Sequence, residues 1–358
     1  MNITFLIGNG FDVNLGLKTK YTDFYNTYIK SNEKRDDDDP VKKFCYLIEN
    51  NYETWSDFEM AFASNAFGTK EDVRDILYDF SSKFVKHLKA QEELCNYSNE
   101  DMLDEFRWFL TNGYTYLEGR DKQILEKRYS DRKENTVINF VNFNYTNTLD
   151  QIIQKYISDT GSNNLVQYKY SGPTFYEILG SVLHIHGSLG GQIILGIDSS
   201  EQLADENLKN NDLIDRYCVK YNINVDIGNQ QIENDFINLI NNSDIIYAYG
   251  ISFGASDESR WRFIYRWLKT SPNHKLIVYK HSTDIKKYDR SYLRKLLDCI
   301  EGYKNEYLSL LGFNETEYEK YYNQIFVIDS ADVLDFKLIQ DDSVTDEDNE
   351  EEVLAAST

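Results

Sequence analysis

Four short stretches concentrate residue types that bind or transform small molecules. The first is Ile7-Gly8-Asn9-Gly10-Phe11-Asp12. Glycines at the end of a strand let the backbone turn tightly and approach a phosphate, and a following helix start offers free N–H groups. The pattern predicts a phosphate cradle with Gly8, Asn9, Gly10, Phe11 and Asp12 as ligand contacts. An ordinary turn has the same spacing, and the full G-x-G-x-x-G fingerprint is absent because Val13 stands where the third glycine belongs.

The second is Asn142-Phe143-Asn144-Tyr145-Thr146-Asn147. Thr146 or Asn147 could cap the helix that follows, but capping accounts for one residue only. Asn144 is placed to orient a ribose hydroxyl or a water, with Tyr145 and Thr146 as further contacts. The third is Leu183-His184-Ile185-His186-Gly187-Ser188. Two positions apart on a strand, both histidines should point to one side of the sheet. His186 at the strand end would serve as general base or ribose ligand. The rival reading, a metal held by His184, His186 and a carboxylate such as Asp198, lacks a third histidine or HExxH spacing.

The fourth is Tyr249-Gly250-Ile251-Ser252-Phe253-Gly254-Ala255-Ser256-Asp257. Its Gly-Ile-Ser-Phe-Gly core has the form of a GxSxG nucleophile elbow, with His274 and His281 as later histidines. A second glycine-rich turn facing the first also suits a dinucleotide, with Gly250, Ser252 and Asp257 as contacts. In Trp55-Ser56-Asp57-Phe58-Glu59, paired carboxylates could do acid/base work; the reading preferred is that they anchor one part of the chain against another.

The elements that must position these stretches are legible in the hydrophobic pattern. Continuous apolar runs at 3–7, 137–143, 182–186, 244–249, 275–279 and 325–328 read as six buried parallel strands. Helix-period stripes lie between them, at Leu149-Ile152-Ile153-Tyr156, at Ile232-Phe236-Leu239-Ile240 and at Trp261-Ile264-Tyr265-Leu268. The alternation predicts an α/β fold with a doubly wound, Rossmann-like parallel sheet. Residues 1–35 supply its first strand, glycine loop and helix, and 136–330 supply the rest. Between them, 41–130 shows helical stripes and no strand signal, which predicts a mostly helical insertion.

The 358 residues carry 60 acidic and 38 basic side chains, a formal charge of −22. Eight acids fall in residues 341–358, a tail expected to be disordered, and without them the charge is still about −14. So acidic a body repels phosphate backbones, which argues against extended nucleic-acid binding. Four scattered cysteines form no CxxC pair, and no apolar window is long enough for a membrane span. A cytoplasmic protein with no membrane partner and no resident metal is expected. The 28 tyrosines and 20 phenylalanines are compatible with self-association but set no stoichiometry.

In this order, the motifs Ile7–Asp12 with Gly16-Leu-Lys-Thr-Lys-Tyr-Thr-Asp-Phe24, Trp55-Ser-Asp-Phe-Glu59, Asn142-Phe-Asn-Tyr-Thr146, His184-Ile-His-Gly187 and Tyr249-Gly-Ile-Ser-Phe-Gly254 resemble the bacteriophage abortive infection family AbiH, over about residues 3–330. That family in turn resembles sirtuin-like NAD-binding proteins. The resemblance implies a glycine loop over a pyrophosphate at Gly8 to Asp12. It also implies that Asn144 positions a ribose, that His186 is the catalytic histidine and that Ser252 lies near the adenine ribose. Two positions depart from the sirtuin pattern: Thr146 stands where those proteins carry an aspartate, and Asp12 where they carry a small hydroxyl residue. The zinc cysteines of deacetylases are missing.

These expectations converge on an antiphage effector that binds NAD or a related nucleotide and hydrolyses its N-glycosidic bond through His186 and Asn144. A constitutively active enzyme of this kind would poison its host, so latency is expected, with a phage-derived trigger as a partner. Two other readings stay open at this stage: a non-catalytic nucleotide sensor acting through a partner, and a metal-dependent nuclease or phosphohydrolase built on His184 and His186.

Overall fold

The structure is a computed structural model that describes residues 1–339 apart from 51, 66–67, 100, 210, 282–292 and 332. The acidic stretch 341–358, expected to be disordered, lies outside the described residues. The architecture is mixed α/β around one seven-stranded sheet. Its strands are β1 (Asn2–Ile7), β2 (Thr136–Asn142), β3 (Asn164–Lys169), β4 (Thr174–His184), β5 (Ile245–Tyr249), β6 (Lys275–Lys280) and β7 (Ile325–Asp329), in the spatial order β3-β4-β2-β1-β5-β6-β7. All neighbours are parallel except β3, which runs antiparallel to β4.

The apolar runs become central strands because alternate residues are buried on opposite faces. Phe5, Ile7, Phe140, Tyr247, Tyr249 and Tyr279 belong to one core cluster, with Phe106 and Phe109 of the helix Met102–Asn112 and Leu149 and Ile152 of the helix Thr148–Thr160. Leu6, Val141, Ile246, Ala248, Leu276 and Val278 belong to the other, with Phe236 of the helix Gln231–Asn242 and Trp261, Ile264 and Trp267 of the helix Glu258–Thr270. With both faces covered, strands need no polar alternation.

β4 departs from expectation. Apolar periodicity suggested a strand over 182–186, but β4 begins at Thr174 and ends at His184, and its first half pairs with β3. β3 and the first half of β4 bury few apolar residues, so the signal of that hairpin was too weak to see. The turn between them carries Ser171 at φ 50° and Gly172 at φ 110°, the backbone bend that closes the hairpin.

The helical stretch 41–130 divides between two cores. The helices Pro40–Asn50, Phe58–Asn65 and Lys70–Glu93 pack with the helix Tyr21–Asn32 and with Leu189, Leu195, Ile197 and Cys218 in a third cluster off the sheet. The helices Met102–Asn112 and Gly119–Ser130 instead cover the sheet itself. Lys70–Glu93 starts at a capping box between Thr69 and Asp72, which satisfies two N–H groups at once. Among the described residues no helix is long and apolar enough to cross a membrane.

Candidate active site

Register assembles the site. Asn142 lies opposite both Ile7 and His184, and Ile7 lies opposite Tyr249, so β1, β2, β4 and β5 end level. The residues that follow each strand therefore open at one carboxyl edge of the sheet, where open α/β sheets form their ligand crevices.

There Gly8, Asn9, Asp12, Asn144, Tyr145, Thr146, His186, Gly250, Ser252 and Asp257 line one cavity of about 170 Å³. A second, of about 630 Å³, adjoins it through Asn9, Gly250, Ile251 and Ser252, and its far wall carries Tyr279, Lys280 and His281. Gly10 lines the second cavity only. Phe11, expected as a ligand contact, lines neither; it is wholly buried and meets Tyr249 edge-on.

The two glycine turns pack against each other. Gly8 donates its N–H to the Tyr249 carbonyl (2.9 Å) and Gly10 to the Gly250 carbonyl (3.1 Å). A Cβ on Gly8 would stand 2.5 Å from the Gly250 oxygen, and one on Gly250, at φ +69°, would stand 2.6 Å from the Phe11 nitrogen. The glycines thus meet a demand of turn-to-turn contact. The helix after the first turn has only the five residues Gly10–Asn14, and its first N–H, that of Gly10, is already bonded to the Gly250 carbonyl.

The two histidines diverge, contrary to expectation. β4 stops at His184, so the period of two does not carry on to His186. His184 Nε2 meets Asp150 Oδ2 (2.9 Å) on one side of the sheet, whereas His186 packs edge-on to Phe143 and reaches Asp257 Oδ1 (2.8 Å) on the other. Asp198, the carboxylate considered as their partner, takes the N–H and hydroxyl of Ser259 (2.7 and 2.6 Å). No group of three His, Cys, Asp or Glu among the described residues is placed to hold a metal ion.

His186 is 5% exposed. Burial pushes its imidazole down to about 4, against the upward pull of Asp257, so it is neutral at pH 7. Burial alone would raise Asp257, but His186, Lys220 and Arg260 outweigh it and hold the carboxyl well below the usual range. An ionised Asp257 can only accept, which fixes the His186 proton on Nε2 and leaves Nδ1 as a free base.

Behind the pair lies a buried charge cluster that the sequence did not announce. Lys220 Nζ donates to Asp257 Oδ1 (3.1 Å) and the Ser256 carbonyl (2.9 Å), and stands 3.8 Å from Glu59 Oε1. Arg260 lies 3.3 Å from Asp257 and 2.8 Å from Glu233. Lys220 and Arg260 are almost wholly enclosed. The spacing Asp257 to Arg260, one helical turn, was the only legible hint. Glu59 does not simply anchor the helical segment, because it lines the cavity. Burial pushes its carboxyl up to about 7, with Lys220 opposing and Asp57 and Asp257 adding. Asp57 accepts from the Met60 N–H at the start of the helix Phe58–Asn65.

On the other wall, Thr146 donates its hydroxyl to Asp12 Oδ2 instead of capping a helix, and Asn147 donates its N–H to Glu92. Burial raises Asp12 to about 7; the Thr146 bond opposes this and Glu92 adds to it. Asp12 Oδ1 and both amide atoms of Asn144 are closed off from solvent, and Asn144 also acts on the Asp12 carboxyl as a hydrogen-bond neighbour, opposing the rise.

The nucleophile-elbow reading finds no support. The strained residue is Phe253 (φ 55°), not Ser252. His274 stacks on Trp267 at the amino end of β6, and no hydrogen bond among the described residues joins Ser252 to His281.

Among curated proteins none matches the sequence. A sequence model of the family described as Bacteriophage abortive infection AbiH matches residues 4–279, a span that holds every residue of the cavity just described. The chain belongs to the bacteriophage abortive infection AbiH family, and its role lies in abortive infection by phage.

Proposed function

We propose that the cavity binds NAD or a related nucleotide and hydrolyses its N-glycosidic bond. The observation that carries this reading is His186, kept neutral and oriented by Asp257 in the cavity that Asn144 and the two glycine turns also line. The strand order supports a dinucleotide. With the hairpin strand β3 set aside, β4-β2-β1-β5-β6-β7 is the order of the Rossmann-like, doubly wound sheet, whose switch point falls between β1 and β5. The two cavities meet at the Gly250 turn over that point.

In this reading Asn144 holds the ribose and the attacking water. As the C–N bond breaks, its electron pair leaves with the base, turning a pyridinium into neutral nicotinamide and leaving an oxocarbenium-like ribose. Water adds to that carbon, and His186 Nδ1 takes its proton. NAD⁺ and water give ADP-ribose, nicotinamide and one proton.

The test is chromatography of NAD incubated with purified protein, His186→Ala and a chelator control. Nicotinamide release that needs His186 and ignores the chelator is expected. No release, with NAD or ADP-ribose still raising the melting temperature, would replace the enzyme reading with that of a sensor.

A further inference from the structure

The second cavity has a charge that the chain as a whole does not. Lys20, Lys280 and Lys337 line it, and none of the three lines the first cavity. Glu306 is the one carboxylate among its described lining residues, in a chain whose formal charge is −22. That carboxylate is already engaged, since Lys280 Nζ donates to Glu306 Oε1 (3.3 Å). Lys337 Nζ donates to the Asn14 carbonyl (2.5 Å), and an ammonium that makes one bond keeps two further N–H donors. The wall is therefore cationic beyond its own counter-charge, which fits an anion.

The position of the reacting centre narrows the choice of anion. His186 and Asn144 line the first cavity only, so in the glycohydrolase reading the scissile ribose lies there. The dinucleotide then crosses at Asn9, Gly250, Ile251 and Ser252, which both cavities share, and its adenosine half enters the second. Tyr279 lies level with Tyr249, so Lys280 follows one strand, about 4.8 Å, outward from the Gly250 turn. Where a doubly wound sheet binds NAD, a carboxylate accepts from the adenosine ribose hydroxyl; where it binds NADP, a cation nearby meets the added phosphate. Here the strand end carries the cation.

We infer that the second cavity takes a phosphate on the adenosine ribose, held by Lys280 and Lys337, so that the protein selects NADP over NAD. The inference rests on the glycohydrolase reading and adds which dinucleotide the site is built for.

The test measures Kd by calorimetry for ADP-ribose and for ADP-ribose phosphorylated on its adenosine ribose, with kcat/KM for NAD and NADP beside it. Charge-assisted hydrogen bonds to one phosphate predict a preference for the phosphorylated ligand, in binding and in cleavage, of about tenfold or more in the native protein. It should shrink in Lys280→Gln and in Lys337→Gln. It should also fall as salt is raised, because Lys20 and Lys337 are exposed and their charge is screened. Equal affinity for the two ligands in the native protein, or a preference untouched in both variants, overturns the inference and leaves the glycohydrolase reading untouched. Preferential binding with neither dinucleotide cleaved keeps the phosphate site and makes the protein a sensor. If neither ligand binds and neither dinucleotide is cleaved, the glycohydrolase reading itself falls and the inference with it.

Discussion

His186 Nε2 and Asp257 Oδ1 stand 2.8 Å apart although 71 positions separate them in the chain. The bond ties the turn after β4 to the start of the helix Glu258–Thr270, across the carboxyl edge of the sheet. It fixes the histidine tautomer, so two loops that share no sequence neighbour act as one group.

Asp257→Asn should therefore lower kcat for nicotinamide release far more than it alters KM. An amide can donate to Nε2 and move the histidine proton to Nδ1, where the base is needed; a wrong tautomer in a comparable pair costs on the order of 10⁴-fold. Steady-state kinetics below the variant's melting temperature checks this. Unchanged kcat would separate Asp257 from the chemistry.

Lys220 is shared between Asp257 and Glu59. Lys220→Met leaves Glu59 without its cation and Asp257 with Arg260 alone, which should cost about 3–5 kcal/mol of stability. Glu59→Gln in the same chain should recover part of that loss, because it removes one of the stranded charges. Urea denaturation of both single variants and the double variant measures the coupling, and strict additivity would show that the two groups do not interact.

Gly250 and Gly161 have nearly the same backbone, φ +69° and +66°, yet only Gly250 is in close contact. Gly161→Ala, at the end of the helix Thr148–Thr160, should cost about 1 kcal/mol for the left-handed conformation alone. Gly250→Ala should cost about 1–3 kcal/mol more, since its methyl group must force the two turns apart. Equal losses would mean that the turns tolerate separation.

The sheet and the site differed in how openly the sequence displayed them. β1, β2, β5, β6 and β7 were legible because strands buried on both faces need uninterrupted apolar residues. β3 was not, since an edge hairpin with polar faces leaves no such run. His186 and Asp257 stood out through glycine-bearing strand ends, and Asn144 through a polar cluster at another. Lys220 did not, because a buried lysine reads like any exposed one until its carboxylates, 37 and 161 positions away, are brought to it by the fold. Glu59 was seen but taken for an anchor, its place in the cavity depending on how the third cluster docks. Gly8 and Gly10 were singled out as a cradle, and the fold places a further demand on them that the sequence did not show, the contact with Gly250.

The raised carboxyls of Asp12 and Glu59 predict a stability that falls as pH rises. Unfolded, they titrate near their ordinary values of 3.8 and 4.5; folded, each is pushed up to about 7. Between about pH 4 and 7 the folded chain therefore holds protons that the unfolded chain has lost, and stability decreases across that window. Below it both states are protonated and the effect vanishes. His186, pushed down to about 4, acts in the opposite direction, so the comparison must be between variants and the native protein at each pH. Asp12→Asn and Glu59→Gln should each be more stable than the native protein by about 1–3 kcal/mol at pH 8 and show little gain at pH 4.5. Denaturant midpoints at the two pH values measure this. A gain that is the same at both would mean that these carboxyls titrate as exposed ones do, and that burial does not strain the site.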